Sequence, residues 1–260
     1  MISFKFISRH FKERNIEFVG AISFSDVENH LIECNAKKRI PQKAKSVILC
    51  LFPYAVKKEK PQSLSRYATL PDYHNVSLDI LNKIIEKLKE TYPENHFEAF
   101  ADNSPIPEVA AAARANLGVK GENGLLINKK YGSFVFIGEI VTDLEIETTE
   151  TEIKSCNKCE KCKQKCPVGL EKEKCLSALS QKKGELTDAQ AKLLRDNNIL
   201  WGCDICANVC PQNKFEITDI KEFIEGYKDS YCPDDSIEGR AYAWRGKKTI
   251  DRNYVNLKGL

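Results

Sequence analysis

Apolar positions recur with two different periods in the first 148 residues and with neither in the cysteine-rich stretch that follows. Helical spacing runs through residues 4–14 and again through 76–92, where Leu78, Leu81, Ile84, Ile85 and Leu88 form the stripe of an amphipathic helix. Residues 18–22 make a short apolar run suited to a strand. Residues 46–52 (SVILCLF) are apolar almost throughout and end at Pro53, which predicts a strand buried on both faces. A further strand is expected at 97–101, leading into Asp102, and an alanine-rich helix at 110–117 closed by Gly118. Residues 125–128 and 133–142 look like strands paired around 129–132. Together these elements predict an α/β domain over residues 1–148.

Residues 149–214 carry no strand pattern, only a charged helical insert at 184–199, so their order must come from something other than a sheet. The cysteines supply it. Eleven are present in the chain, and eight fall in this stretch. Cys156, Cys159, Cys162 and Cys166-Pro167 follow C-x2-C-x2-C-x3-C-P. Cys203, Cys206 and Cys210-Pro211 repeat the end of that pattern without its leading cysteine, which Cys175 can provide. In two-cluster ferredoxins the cysteine before proline ligates the other cluster. That rule assigns Cys156, Cys159, Cys162 and Cys210 to one 4Fe–4S cluster. Cys166, Cys175, Cys203 and Cys206 are left for a second. Structural zinc also accepts four cysteines but has no use for the third cysteine and the C-P step in both runs. The expectation is a mainly helical, ferredoxin-like double-cluster domain that moves electrons singly. Cys34, Cys50 and Cys232 stand apart, and Cys50 in its apolar run is expected to fill core.

The bulk properties fit an intracellular protein. The chain has 260 residues, 30% charged, with a net charge of +3. No run approaches the ~18–20 apolar residues of a membrane span, and the N-terminus is too broken by charge for a secretory signal. Thiols kept for metal imply reducing conditions, so a cytoplasmic location without membrane contact is expected. Six lysines, Lys158, Lys161, Lys163, Lys165, Lys172 and Lys174, crowd the first cysteine run. They either balance anionic clusters or face a polyanion such as RNA. Residues 215–260 form a tail with a second basic patch, Arg240, Arg245, Lys247, Lys248 and Arg252, interleaved with Tyr242 and Trp244 in the manner of nucleic-acid surfaces.

Asp102, at a strand end before a rigid turn, is placed either as a site residue or as the N-cap of the next helix. Tyr73 and His74, in Pro71-Asp72-Tyr73-His74, open the second amphipathic helix and could be packing residues or part of a site.

In order along the chain, Ser65-Arg66-Tyr67-Ala68, Asp72-Tyr73-His74, Asp102-Asn103-Ser104-Pro105, residues 112–118, Gly121 and Asn123, and residues 132–139 (GSFVFIGE) are followed by Cys175-Leu176-Ser177 and Trp201-Gly202-Cys203-Asp204-Ile205-Cys206. This series resembles the epoxyqueuosine reductases, cobalamin-dependent iron–sulfur enzymes of tRNA modification. The resemblance implies that the α/β domain is of corrinoid-binding type. It implies cobalamin, contacted by Tyr73, His74, Asn123 and Gly202, and two clusters that deliver single electrons to cobalt. It also implies a tRNA substrate whose epoxyqueuosine is reduced to queuosine, Asp102 as proton donor, and a flavodoxin or ferredoxin as electron donor. Three positions depart from the family pattern. Val109 stands where it has arginine, Glu122 where it has lysine and Val119 where it has tryptophan. A related reductase with another substrate, or a plain electron-transfer protein, is the alternative.

Overall fold

The computed structural model describes residues 1–57 and 63–259, so Leu260, the last residue of the basic tail, lies outside it. Strand β2 (Ser46–Pro53) decides the architecture, because all eight of its residues are buried. Val47, Leu49 and Leu51 face one side, and Ile48, Cys50 and Phe52 face the other. A strand of this kind needs apolar cover on both faces. It pairs with β1 (Val19–Ser23) on one edge and β6 (Val135–Thr142) on the other, and β3 (Phe97–Ala101) completes the order β1-β2-β6-β3. All three pairings are antiparallel. Helices α1 (Phe4–Lys12) and α3 (Tyr73–Thr91) cover one face with Ile7, Phe11, Ile80, Leu81, Ile84 and Leu88. The one-turn α2 (Ser25–Glu28) and α4 (Glu108–Arg114) cover the other with Val27 and Ala111–Ala113.

Two sequence expectations are corrected here. Residues 125–128 do not form a hairpin with 133–142. Instead β5 (Leu126–Ile127) pairs with β4 (Val119–Lys120), and only Asn128 and Gly132 bridge across the turn. The Asn128 side chain accepts from the N–H groups of Lys130 and Tyr131 and donates to the Leu117 carbonyl at 2.7 Å. That knot frees the apolar β6 to enter the centre of the sheet, where burial on both faces stabilises it more than a hairpin would. The alanine-rich helix also stops earlier than Gly118. Asn116 adopts φ +63°, and the Leu117 N–H turns back to the Ala112 carbonyl, so asparagine does the work expected of glycine.

Gly138, in mid-β6, shows how tight the centre is. A methyl group there would lie 2.4 Å from Phe52 Cε2 and 3.2 Å from Cys50 Sγ. Gly138→Ala should cost about 1–3 kcal/mol through overpacking. A denaturant midpoint equal to wild type would show that Phe52 can give way.

Beyond the sheet the chain folds into short helices: α5 (Lys161–Lys165), α6 (Leu176–Ser180), α7 (Asp188–Asp196) and α8 (Ile205–Asn208). Leu176, Leu179, Leu194 and Ile199 form a small core of their own. The last part holds α9 (Lys221–Glu225) and α10 (Lys247–Lys258), and it is packed rather than trailing. Phe223 is buried in the main core, and Tyr242 and Ile250 join Leu64 and Trp201 in a third one. This corrects the reading of the basic patch. Arg240 donates to the carbonyls of Gly226 and Thr69, and Arg252 to those of Lys182 and Gly184. Both are internal clamps, and Lys247 is likewise tied to the Pro233 and Asp235 carbonyls and to Asp251, which leaves Arg245 and Lys248 beside the exposed Trp244.

Candidate functional site

The C-terminal end of β3 meets the N-terminal end of α3, and that junction brings three sequence candidates together. Asp72 caps α3 by accepting from the His74 N–H at 3.1 Å, which turns Tyr73 and His74 toward the sheet. His74 Nδ1 lies 2.7 Å from Asp72 Oδ1, and Nε2 lies 3.0 Å from Asp102 Oδ2. The Tyr73 hydroxyl donates to the same Asp102 oxygen at 3.1 Å. Asp102 is therefore not a helix cap; Pro107 precedes α4. Its backbone sits at φ +62°, a strained conformation for a residue with a side chain, and its carboxyl is exposed. Rings stack behind it: His74 on Tyr73 at 4.1 Å, Tyr73 on Phe136 at 3.9 Å, and Phe136 on Tyr54 at 4.4 Å.

The charges in this array follow from its geometry. Burial opposes a charged His74 ring, but hydrogen bonds to Asp102 and Asp72 outweigh it and carry the imidazole up to about 9. The His74 hydrogen bond in turn holds the Asp102 carboxyl below its ordinary value. At neutral pH the proton rests on His74 and Asp102 is an anion. Burial, with the neighbouring Asp102 charge, raises the Tyr73 phenol, which stays a donor.

Asp102 and Tyr73 open into a pocket of about 150 Å³ walled by Leu125, Leu126, Val135, Phe136 and Ile137. Ser133 also lines it, with a buried hydroxyl that has no hydrogen-bond partner. Apolar walls with an unsatisfied donor suit a large, mostly apolar group. Val109 and Glu108 line the same pocket. Sequence reasoning passed over Glu108; its place six residues after Asp102, in the turn before an alanine-rich helix, was the available signal.

Cys156, Cys159, Cys162 and Cys210 line a single separate pocket, although Cys210 comes from the second run. Left-handed backbone at Lys158 (φ +52°) and Glu160 (φ +59°) coils the loop that presents the first three. The loop 121–123 closes the pocket, and the Glu122 N–H points at Cys156 Sγ at 3.4 Å. Cys203 and Cys206 lie within electrostatic reach of Cys166 and Cys175. Burial pushes the Cys203 thiol up to about 11 and Cys206 up to about 12, so a bound metal would have to draw the protons off. Among the described residues no three metal-binding side chains converge as a single ion would require. The thiolates of a cubane bind separate irons and need not converge, so the donor sets fit clusters.

Asn123 stands between the two sets. It lines the pocket of the first, and its buried amide nitrogen, without a geometric hydrogen-bond partner, lies beside Cys206 of the second. Gly202 takes φ +68° against Ser65 and Tyr67, where a Cβ would lie 2.0 Å from Ser65 Oγ, so it shapes the entry to Cys203. It is not among the residues that line the apolar pocket. The six lysines around the first run are all exposed. No helix of the described residues is long and apolar enough to cross a membrane.

Comparison with known proteins bears on the family and the fold. The family model described as Epoxyqueuosine reductase QueG, DUF1730 matches residues 35–103, the segment that ends just past Asp102. The epoxyqueuosine reductase of Lactococcus garvieae is 32% identical over 244 residues, covering 83% of this chain and 69% of the relative. That of Cyclobacterium marinum is 31% identical, covering 92% and 78%. Among solved structures, an epoxyqueuosine reductase with an epoxyqueuosine-modified tRNA-Tyr stem loop superposes with a TM-score of 0.81 over 97% of this chain and 80% of its own, at 22% identity. A reductive dehalogenase structure described in terms of B12-dependent dehalogenation gives 0.53 over 96% of this chain and 36% of its own, at 14% identity, a likeness of fold alone. With relatives at this identity spanning more than two thirds of both partners, the chain belongs to the epoxyqueuosine reductase family.

Proposed function

We propose that this protein reduces epoxyqueuosine in tRNA to queuosine, using two 4Fe–4S clusters and a corrinoid. The observation that carries the reading is the Asp72–His74–Asp102 array at the mouth of an apolar pocket, with two four-cysteine sets in the same body. Cys156, Cys159, Cys162 and Cys210 hold one cluster, and Cys166, Cys175, Cys203 and Cys206 the other. The apolar pocket, the Ser133 hydroxyl, Tyr73 and His74 would hold the corrinoid. When bound, these groups supply low-potential electrons, one at a time, and a reducing metal centre.

The chain's own residues supply orientation and protons. Asp72 fixes the His74 ring through Nδ1, so Nε2–H must point at Asp102. Asp102, an anion at rest, passes to the departing oxygen a proton that it receives from His74. Tyr73 holds the carboxylate in place from the other side. The exposed lysines, with Arg245 and Lys248, form the face that meets the tRNA phosphates. A flavodoxin or ferredoxin is the electron donor, and the reaction takes place in the cytoplasm.

Anaerobic reconstitution with iron, sulfide and cobalamin, then assay on epoxyqueuosine-containing tRNA, tests the reading. Stoichiometric cobalamin uptake and conversion to queuosine are expected. Cluster assembly with no cobalamin uptake would leave only an electron carrier. Uptake without conversion would favour a related reductase with a different substrate, and Val109 in the pocket wall is the observation that keeps that second reading open.

A further inference from the structure

Opening an epoxide to an alkene breaks both carbon–oxygen bonds, makes the carbon–carbon bond double and releases the oxygen as water. Two electrons and two protons are consumed. A low-potential one-electron carrier, acting twice, supplies the electrons. The His74–Asp102 couple accounts for one proton, and the second needs a source in the same pocket.

Two carboxyls that this mechanism has not used, one fully buried and one half-buried, lie near Asp102. Glu139 is in the middle of β6, on the face shared with Ile137 and Val141, and is 0% exposed. Its cross-strand neighbours are Leu49 and Phe100. One carboxyl oxygen accepts from the Ser104 hydroxyl, which in turn accepts from the Ile106 N–H at 3.0 Å, so Glu139 also holds the turn that carries Asp102. Its other oxygen has no partner. Glu108, at the start of α4, lines the pocket, and it too has a buried oxygen without a partner. Among the described residues neither glutamate has an ion-pair partner. The groups facing them are neutral or negative, with the Asp102 carboxylate and the Tyr73 phenol near Glu108 and the buried Cys50 thiol behind Glu139. An unpaired carboxylate in such a place is expensive, and two side by side are more so.

We propose that Glu108, backed by Glu139, is the second proton source of this pocket. The inference rests on the epoxide-reducing reading above. Burial raises both carboxyls well above their ordinary range, and Glu139 and Asp102 push Glu108 further the same way. Both are therefore neutral at rest. Glu108 reaches the pocket and gives its proton to the oxygen once Asp102 has delivered the first. Glu139 is a positioning residue: as a neutral neighbour it adds no third negative charge when Glu108 loses its proton beside the Asp102 carboxylate. Solvent at the pocket mouth restores the proton between turnovers.

The test uses reconstituted holoenzyme, wild type, E108Q, E108D and E139Q, read by infrared spectroscopy and by turnover on epoxyqueuosine-containing tRNA. Wild type should show a protonated-carboxyl C=O band at neutral pH that shifts in D2O, and E139Q should diminish it. E108Q should lose roughly a hundredfold in kcat with KM little changed, in the range usual for a general acid. E108D should recover part of that loss, and E139Q should move the alkaline limb of the pH profile. Absence of the band in wild type, or an E108Q enzyme with wild-type kcat and pH profile, would overturn the proposal. A wild-type enzyme that shows the band but never reduces the nucleoside refutes the epoxide reading, and with it the second-proton assignment. The two failures are thus distinguishable.

Discussion

Asp102→Asn should lower turnover on epoxyqueuosine-containing tRNA by roughly a hundredfold or more, with the iron content of the reconstituted protein unchanged. The carboxylate is the acceptor on which the His74 Nε2–H and the Tyr73 hydroxyl converge. Asparagine keeps the size and can keep one of those hydrogen bonds, but it cannot take a proton from the ring and pass it on. The substitution also changes His74. In the wild type the ring's value rises from 6.5 to about 9 because two carboxylates hold its charged form. The stability gained from that charged pairing is complete below pH ~6.5 and is lost as pH rises through about 9. With one carboxylate neutralised, both the alkaline limb of the residual activity and the His74 resonance should shift to lower pH. A variant with an unshifted His74 titration and full turnover would remove Asp102 from the mechanism.

Cys210→Ser should halve the iron and sulfide content of the reconstituted protein and abolish turnover. Its informative feature is which other variant it matches. Cys210 lies four positions after Cys206 in sequence, yet lines the pocket of Cys156, Cys159 and Cys162. The electron paramagnetic resonance signal left in C210S should therefore match that left in C156S and differ from that left in C206S or C175S. Cys232→Ser serves as control, since that thiol is exposed and belongs to neither set. If C210S instead matches C206S, the thiols are partitioned by sequence run rather than by pocket.

What the sequence reveals about this molecule depends on range. β2 is legible because a continuous apolar run bounded by proline has few other ways to be buried, and β3, interrupted only by Glu98, is found with the bounds Phe97–Ala101 intact. The partner of β5 is not legible, because it is decided by the Asn128 side chain taking over the turn's hydrogen bonds. Nor is the inner role of Arg240 and Arg252, since a guanidinium bound to carbonyls 171 or 70 positions away looks in sequence like any surface charge. The candidate site divides in the same way. Cysteine spacing is a local property and can be read directly. The pairing of Asp102 with His74 joins residues 28 apart, and Glu139 reaches Ser104 across 35. Carboxyls at that distance announce nothing until the sheet brings them together. The departure at Val109 is legible as a residue, but only the pocket shows that it is part of the wall.

The loop 121–123 has a consequence for portability. The Cys156 N–H is bound to the Lys120 carbonyl at 2.9 Å, Glu122 approaches its sulfur, and the Asn213 side chain accepts from the Ser133 N–H. On the other side Ser65 and Arg66 donate to Trp201 and Asp204. The thiol-bearing segment is thus moulded by backbone that precedes it by tens of residues. Grafted onto a foreign host it would lack the walls that shape it, so despite its ferredoxin spacing it is a fitted part and not an exchangeable cartridge.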